Sequence, residues 1–127
     1  MKKKWIPLAI ALLVVAALLF SRRFLGAEEK PVEVTLKGTV VDMHCYVTHG
    51  IHDADHTACA NACIARGVPA GFLADDGQLY VLFEEKPQSV KERVKDLADV
   101  PVTVKGTLVS RGGVKGLQIQ SIARQKT

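Results

Sequence analysis

All three cysteines and all four histidines of this chain lie within one stretch of twenty residues, from His44 to Cys63. Its first part, from Asp42 to Asp55, is rich in histidine and aspartate and contains Gly50, which predicts a loop. A loop of this length is typical of a functional segment rather than of a simple connection between strands. Any fold that the chain adopts must therefore carry the cluster as an insertion with its own local structure.

A helix is predicted in the second part of the cluster, from about Ala54 to Arg66. Asp53 or Asp55 can cap its first turn, and Gly67 can end it. Four alanines between residues 58 and 65 favour the helical state.

Three candidate metal ligands share one face of this helix. At about 100° per residue, His56, Cys59 and Cys63 fall within an arc of about 60°. Cys45 can complete a shell of four ligands, because thiolates and imidazoles suit Zn, Cu or Fe and a Cys3His set is an accepted structural zinc shell. We therefore predict a metal site, most simply zinc, with four further residues as alternative ligands or as groups that orient the ligands: Asp42, His44, His49 and His52.

A disulfide is the alternative interpretation of the same cysteines. In an oxidising compartment, Cys45 could pair with Cys59 or Cys63 and hold the insertion in place, a stabilisation of about 2–4 kcal/mol. Such a pair leaves one thiol over, which is unusual in an exported domain. A three-thiolate metal shell uses all three cysteines, which favours the metal.

Short apolar runs separated by turn signals predict a mainly β fold around the insertion. Alternation predicts a half-buried strand from Val32 to Val41, with Gly38 as a bulge or bend. Two strands, 70–74 and 78–83, flank the hairpin signal Asp75-Asp76-Gly77. Two more, 102–108 and 117–122, flank a second hairpin signal, Arg111-Gly112-Gly113.

A second helix is predicted between the third and fourth strands. Pro87 can open it and Pro101 ends it, with an apolar stripe made by Val90, Val94, Leu97 and Ala98. The resulting element order is that of a small five-stranded OB-like barrel, in which the insertion, residues 42–67, occupies a ligand-binding loop. An open five-stranded sheet with one covering helix has the same element order.

Residues 1–27 form a segment separate from the single domain predicted over residues 28–127. Three lysines precede an apolar run from Trp5 to Phe20, and Arg22 and Arg23 follow it. Sixteen helical residues span only about 24 Å, so a membrane anchor also requires Phe24, Leu25 and a thinned bilayer.

Retention of this segment as an anchor is preferred to its cleavage as a signal peptide. Leu25 is too bulky for its place two residues before a cut at Ala27. The excess of positive charge before the apolar run favours an N-terminus in the cytoplasm. We therefore predict a single-pass inner-membrane protein whose C-terminal domain lies in the periplasm.

The net charge of +4 does not indicate nucleic-acid binding. Five of the seventeen Lys and Arg residues lie before residue 24, which leaves twelve against thirteen Asp and Glu, a net charge of −1 from residue 28 onward. OB-folds bind single strands through aromatic platforms on a basic groove. Phe72, Tyr80 and Phe83 are instead predicted to be core residues, and no nucleic-acid partner is expected.

Four strings of the sequence resemble those of one protein family: G-T-V-V-D-M-H-C, H-T-A-C-A-N-A-C-I-A-R-G-V-P, D-D-G-Q-L-Y-V-L and V-T-V-K-G-T-L. Over about residues 33–123 they resemble an uncharacterised family of small exported bacterial OB-like domains with a D-x2-C…H-x2-C-x3-C pattern. The resemblance implies an OB-type barrel and no established activity. It implicates, position by position, Asp42, Cys45, His56, Cys59 and Cys63.

The function predicted is that of a membrane-anchored, periplasm-facing accessory domain, attached to a membrane redox complex and holding structural zinc. Copper or iron handling is the variant of the same site. Catalysis is not predicted, because no Cys–His pair lies beside a recognisable oxyanion site. The alternative is a metal-free protein-interaction domain whose insertion is held by one disulfide.

Overall fold

The computed structural model describes residues 6–21, 30–86 and 89–126. Within these ranges, five strands close into a barrel in the order β1-β2-β3-β5-β4. They are β1 (Val32–Asp42), β2 (Ala70–Ala74), β3 (Leu79–Glu84), β4 (Pro101–Arg111) and β5 (Val114–Arg124). Neighbouring strands are antiparallel except β3 and β5, which are parallel. The predicted five-stranded barrel is confirmed, and the open-sheet alternative is wrong.

The described part also contains four helices. They are α1 (Ile6–Ser21), α2 (Met43–His49), α3 (Thr57–Ala65) and α4 (Val90–Arg93), with a 3₁₀ turn at Ala54–His56. Of those between strands, α3 and α4 lie at places where the sequence predicts a helix. The insertion between β1 and β2 thus consists of α2, the 3₁₀ turn and α3. Both hairpins are also found, with positive φ angles at the turn glycines Gly77, Gly112 and Gly113.

Helix α2 lies where the sequence predicted a loop. Asp42 caps it, because its Oδ1 accepts hydrogen bonds from the N–H groups of His44 at 2.8 Å and Cys45 at 3.4 Å. Gly50 ends it in a left-handed conformation with φ of 71°. An aspartate before and a glycine after a short run are ordinary helix boundary signals. The polar composition of the stretch obscured them.

Helix α3 is shorter than the helix predicted from Ala54 to Arg66. The segment predicted to be helical begins instead with a 3₁₀ turn at Ala54–His56. Asp53 Oδ1 accepts a hydrogen bond from the N–H of His56 at 3.1 Å, as predicted for a cap at this residue. The α-helix proper starts at Thr57 and buries Ala60 and Ile64 against the barrel. His56 therefore stands at the junction of two helical forms.

Helix α4 is a single turn, so the longer helix predicted toward Pro101 is wrong. Asp96 and Asp99 have positive φ angles of 59° and 55°, which a continuing helix does not allow. The backbone of residues 98 and 99 bonds elsewhere: the Asp99 N–H donates to the Val40 carbonyl at 2.8 Å, and the Ala98 N–H to Asn61 Oδ1 at 3.3 Å. Tertiary contacts override the apolar periodicity here. Pro87, the predicted first residue of this helix, lies outside the described residues.

The core fills the barrel with large apolar side chains from every strand. Its largest fully buried members include Phe72, Leu117 and Ile119. Val94 and Ala98, which follow α4, are also fully buried and belong to the same core. Phe83 was predicted to belong to it and does not, since its side chain is exposed. Along β3 its neighbour Leu82 takes the inward position.

Helix α1 covers the apolar run near the N-terminus. Its 16 residues rise about 24 Å, less than the roughly 30 Å of a bilayer's hydrocarbon core. Among the described residues, no helix is both long enough and apolar enough to cross a membrane. The structure thus gives the predicted transmembrane helix no support, and Phe24 and Leu25, on which that prediction relied, are outside the described residues.

Gly38 is the point at which β1 turns from one neighbouring strand to the other. It is paired both with Ala74 of β2 and with Val102 of β4. A Cβ at this position would overlap the Leu73 carbonyl oxygen and come within 2.8 Å of the Ala74 Cα. The predicted bend is thus a site of close backbone approach that closes the barrel.

We expect Gly38→Ala to lower the free energy of unfolding by about 1–3 kcal/mol, because backbone atoms must move to admit the methyl group. Urea unfolding followed by circular dichroism measures the change. Lys37→Ala, at the exposed neighbouring position of β1, is the matched control. Equal urea midpoints for the two variants would contradict a steric role for Gly38.

Candidate metal centre

The candidate site is built on Asp42, the last residue of β1, which is only 1% exposed. Its Oδ1 caps α2, and this cap fixes the first turn of α2 so that Cys45 lies beside the carboxylate. Its other oxygen, Oδ2, is buried and makes no directed hydrogen bond. One carboxylate thus orders the insertion and presents an unsatisfied oxygen to the site.

The surroundings of Asp42 favour its charged form. Burial by itself raises the pKa of this carboxyl group. The N–H groups of His44 and Cys45 lower the pKa by donating hydrogen bonds to the carboxylate, and the thiols of Cys63 and Cys45 lower it further. Together they outweigh burial, so the pKa lies below its ordinary value. The Asp42 carboxylate therefore carries a buried negative charge beside the thiols of Cys45 and Cys63.

The thiols next to this charge are held in their neutral form. Burial raises the pKa of Cys45, and Asp42, Cys59 and Cys63 raise it further. A hydrogen bond from Arg66 Nη2 to Cys63 Sγ at 3.3 Å lowers the pKa of Cys63, but burial, Asp42 and Cys59 outweigh it and the pKa is raised. A bound cation would reverse this balance, because metals coordinate the thiolate and displace its proton.

His56 is oriented by a residue from a distant part of the chain. Its Nδ1 lies 2.8 Å from Asp99 Oδ2, and the side chains are 11% and 0% exposed, respectively. Burial raises the pKa of Asp99, while the hydrogen bond and the charge of His56 oppose the rise. When Nδ1 carries the ring proton and donates it to Asp99, the lone pair of Nε2 is free. Nε2 is buried and has no hydrogen-bond partner.

An oxygen, a sulfur and a nitrogen that can each bind a metal lie close together at the end of β1. The side chains of Asp42, Cys45 and His56 each offer one atom, and the three atoms lie within 4.8 Å of one another. They come from the end of β1, from α2 and from the 3₁₀ turn. Carboxylate, thiolate and imidazole are all ligands of zinc, and a carboxylate bonded to the far nitrogen of a ligating histidine is a common orienting arrangement.

The remaining predicted ligands lie around this group at different depths. Cys63, on α3, is half-buried and near enough to Asp42 to lower its pKa. Cys59 is exposed and lies near enough to Cys45 and Cys63 to raise the pKa of both. All three cysteines are free thiols.

The other three histidines of the cluster are exposed and outside the converging group. The rings of His44 and His49 lie edge to face with centroids 6.1 Å apart. The ring of His52 packs in the same manner on Tyr46 at 5.4 Å. These contacts lie on the outer surface of the insertion.

Asp99 is the site residue that sequence reasoning missed. It is 43 positions from His56, and no motif joins the two. The only sequence signal is that Asp99 lies two residues before Pro101, the first residue of β4. This position does not predict a contact with His56. The left-handed backbone of Asp99 and the bond to Val40, which fix its carboxylate under the insertion, follow from tertiary structure alone.

No protein-family model, curated protein or solved structure matches this chain. The resemblance to small exported bacterial domains therefore stays a prediction, and the function must be argued from the site itself.

If the candidate group holds zinc, as the sequence predicts, we expect Asp99→Asn to weaken the binding by about 10-fold to 100-fold, because the amide lacks the charge that orients and polarises the His56 ring. Competition with a fluorescent zinc chelator measures the affinity. Asp55→Asn, an exposed aspartate of the 3₁₀ turn, is the matched control. Equal affinities in the two variants would show that Asp99 does not support the site.

Proposed function

We propose that this chain is an accessory domain that binds one metal ion, zinc in a structural role, where β1, α2 and the 3₁₀ turn meet. The observation behind the proposal is a pair of buried, unsatisfied atoms, Asp42 Oδ2 and His56 Nε2, beside the Cys45 thiol. A buried atom such as His56 Nε2 costs about 1–3 kcal/mol while it has no partner. Among the described residues, the Asp42 carboxylate has, beside its N–H donors, only neutral thiols to offset its charge. A single cation satisfies both and also neutralises the buried carboxylate.

The proposed ligands are Asp42, Cys45 and His56, with Cys63 in the fourth position. Four ligands of these types fit the tetrahedral shell of structural zinc. Cys63 is favoured over Cys59 because it is the more buried of the two and interacts with Asp42. A carboxylate oxygen in the set favours zinc over copper(I), which selects softer ligands.

We further propose an OB-like barrel and membership of the exported bacterial family that the sequence resembles. The strand order, the insertion between β1 and β2, and a helix between β3 and β4 support this assignment. The protein would then have no catalytic activity of its own and would serve a neighbouring membrane complex.

The metal proposal predicts one bound ion per full-length chain purified without added metal or chelator. Native mass spectrometry measures it, and alkylation of the denatured sample should modify all three cysteines. Cys45→Ser and His56→Gln should lose the ion, whereas His49→Gln, which alters an exposed histidine of the same insertion, should retain it. Comparing Asp42→Asn and Cys63→Ser, which should lose the ion, with Cys59→Ser, which should retain it, then identifies the remaining ligands.

Two results would contradict the metal proposal. One is an ion that stays bound in both Cys45→Ser and His56→Gln. The other is a metal-free chain with one alkylatable cysteine, which would establish the disulfide alternative and a protein-interaction role.

The anchoring proposal concerns the segment before the barrel. We propose that it stays in the inner membrane with the barrel in the periplasm. Two features support this: the charges that flank the apolar run, and the exposure of every α1 side chain described, residues 10–17, with Leu13 71% exposed. Such an apolar helix favours a lipid environment over water.

Retention of the anchor predicts that the chain extracted from membranes has the mass of the full sequence. Intact-mass spectrometry of the detergent extract measures this. A chain that begins near Glu28 would show that the segment is cleaved.

A further inference from the structure

An exposed apolar patch lies at the end of the barrel where β1 begins. It consists of Val32, Phe83, Val109 and Val114, which we call the basal patch. Val32, Phe83 and Val114 are 54%, 43% and 53% exposed, although large apolar side chains usually lie inside a domain. Two adjoining cavities of about 510 and 440 Å³ share Val109 in their walls. The patch thus combines residues from four strands, β1, β3, β4 and β5.

The patch is held in place by strand pairing and by glycine. Gly116 of β5 is paired with both Val81 and Val109. A Cβ on Gly116 would come within 2.8 Å of the Phe83 ring and 2.9 Å of Val109 Cγ2. The Phe83 ring therefore packs against bare backbone, which supports it in an outward position.

The charged residues that line the two cavities all have the same sign. Lys30, Arg111 and Lys115 line the two cavities, and no aspartate or glutamate does so among the described residues. Lys115 also donates a hydrogen bond to Gln78. Because residues from 28 onward have a net charge of −1, this local excess of positive charge is a property of the patch. It favours a partner with negative charge next to apolar surface.

The patch also lies where the chain arrives from α1. Ser21, the last residue of α1, and Lys30, at the edge of the patch, are nine residues apart in the sequence. Covalent geometry limits their separation to about 30 Å. A barrel joined to an apolar helix in a bilayer therefore stays near the bilayer surface, and the nearest part of it by chain connection is the basal patch.

We propose that the basal patch docks on the surface of a bilayer containing anionic phospholipids. Val32, Phe83 and Val114 enter the boundary between headgroups and acyl chains, and Lys30, Arg111 and Lys115 contact the phosphate groups. This inference rests on the proposed anchoring for its geometry. It adds a lipid class and a fixed orientation of the barrel.

The test uses the full chain with Val114 replaced by the photoreactive residue p-benzoylphenylalanine, reconstituted in nanodiscs of phosphatidylglycerol and phosphatidylcholine. Irradiation should attach a phospholipid to position 114, and mass spectrometry detects the adduct. The matched control carries the same residue at Lys91, an exposed position on α4, which lies beside α3 on the side of the insertion. Position 91 should give no adduct.

The electrostatic part of the proposal is tested with the same chain. Nanodiscs of phosphatidylcholine alone, or the double change Lys30→Gln and Lys115→Gln, should lower the adduct yield at position 114 at least about fivefold. A yield that is independent of lipid charge would overturn the selection of anionic lipid.

The remaining outcomes separate this inference from the anchoring proposal. A chain that stays in nanodiscs but gives no lipid adduct at 114, or gives a cross-link to a second copy of the chain, overturns the docking surface and leaves the anchor standing. If the chain does not enter nanodiscs, the anchor proposal fails. If the anchor proposal fails in this way, the same photoreactive chain is irradiated with phosphatidylglycerol vesicles. A lipid adduct at position 114 would still support docking of the basal patch, and its absence would overturn the docking proposal as well as the anchor.

Discussion

The buried carboxylate of Asp42 is the interaction on which the insertion depends. One of its oxygens caps α2 through the N–H groups of His44 and Cys45, the other is buried, and the carboxylate lies beside Cys45 and His56. A carboxylate so deeply buried is stable only where donors or cations compensate its charge. Because the same residue ends β1, the shape of the insertion and the affinity of the site cannot change independently.

Strand β1 joins the two surfaces to which we assign a function. Val32 at its start belongs to the basal patch, and Asp42 at its end belongs to the metal centre. Eleven residues of strand span at most about 33 Å. If the patch docks on lipid as we propose, the candidate metal centre at the other end of β1 would face the aqueous compartment, with Cys59 at its exposed edge.

Local signals in the sequence were enough to predict most of the fold. Alternating residues located the strands, and Gly77 and the Gly112–Gly113 pair located the hairpins, because a glycine in a tight turn has a conformational cause that needs no tertiary information. The clustering of cysteine and histidine indicated the segment that carries the candidate metal centre. What failed depends on distant contacts: the early end of the helix after Val90, the outward position of Phe83, and the role of Asp99. Helix α2 was missed for another reason, since its caps were visible and its polar composition was given more weight.

The hydrogen bond between His56 and Asp99 has a consequence for the order of assembly. The two residues are 43 positions apart, and between them lie α3, β2, β3 and α4. During synthesis, Asp42, Cys45 and His56 become available well before Asp99 does. A nascent chain that has reached only β3 can therefore collect the ligands but cannot orient the imidazole, and β1 still lacks β4 as its second neighbour. Under the metal proposal, high-affinity binding would then mark a finished chain, and an ion captured earlier would still exchange.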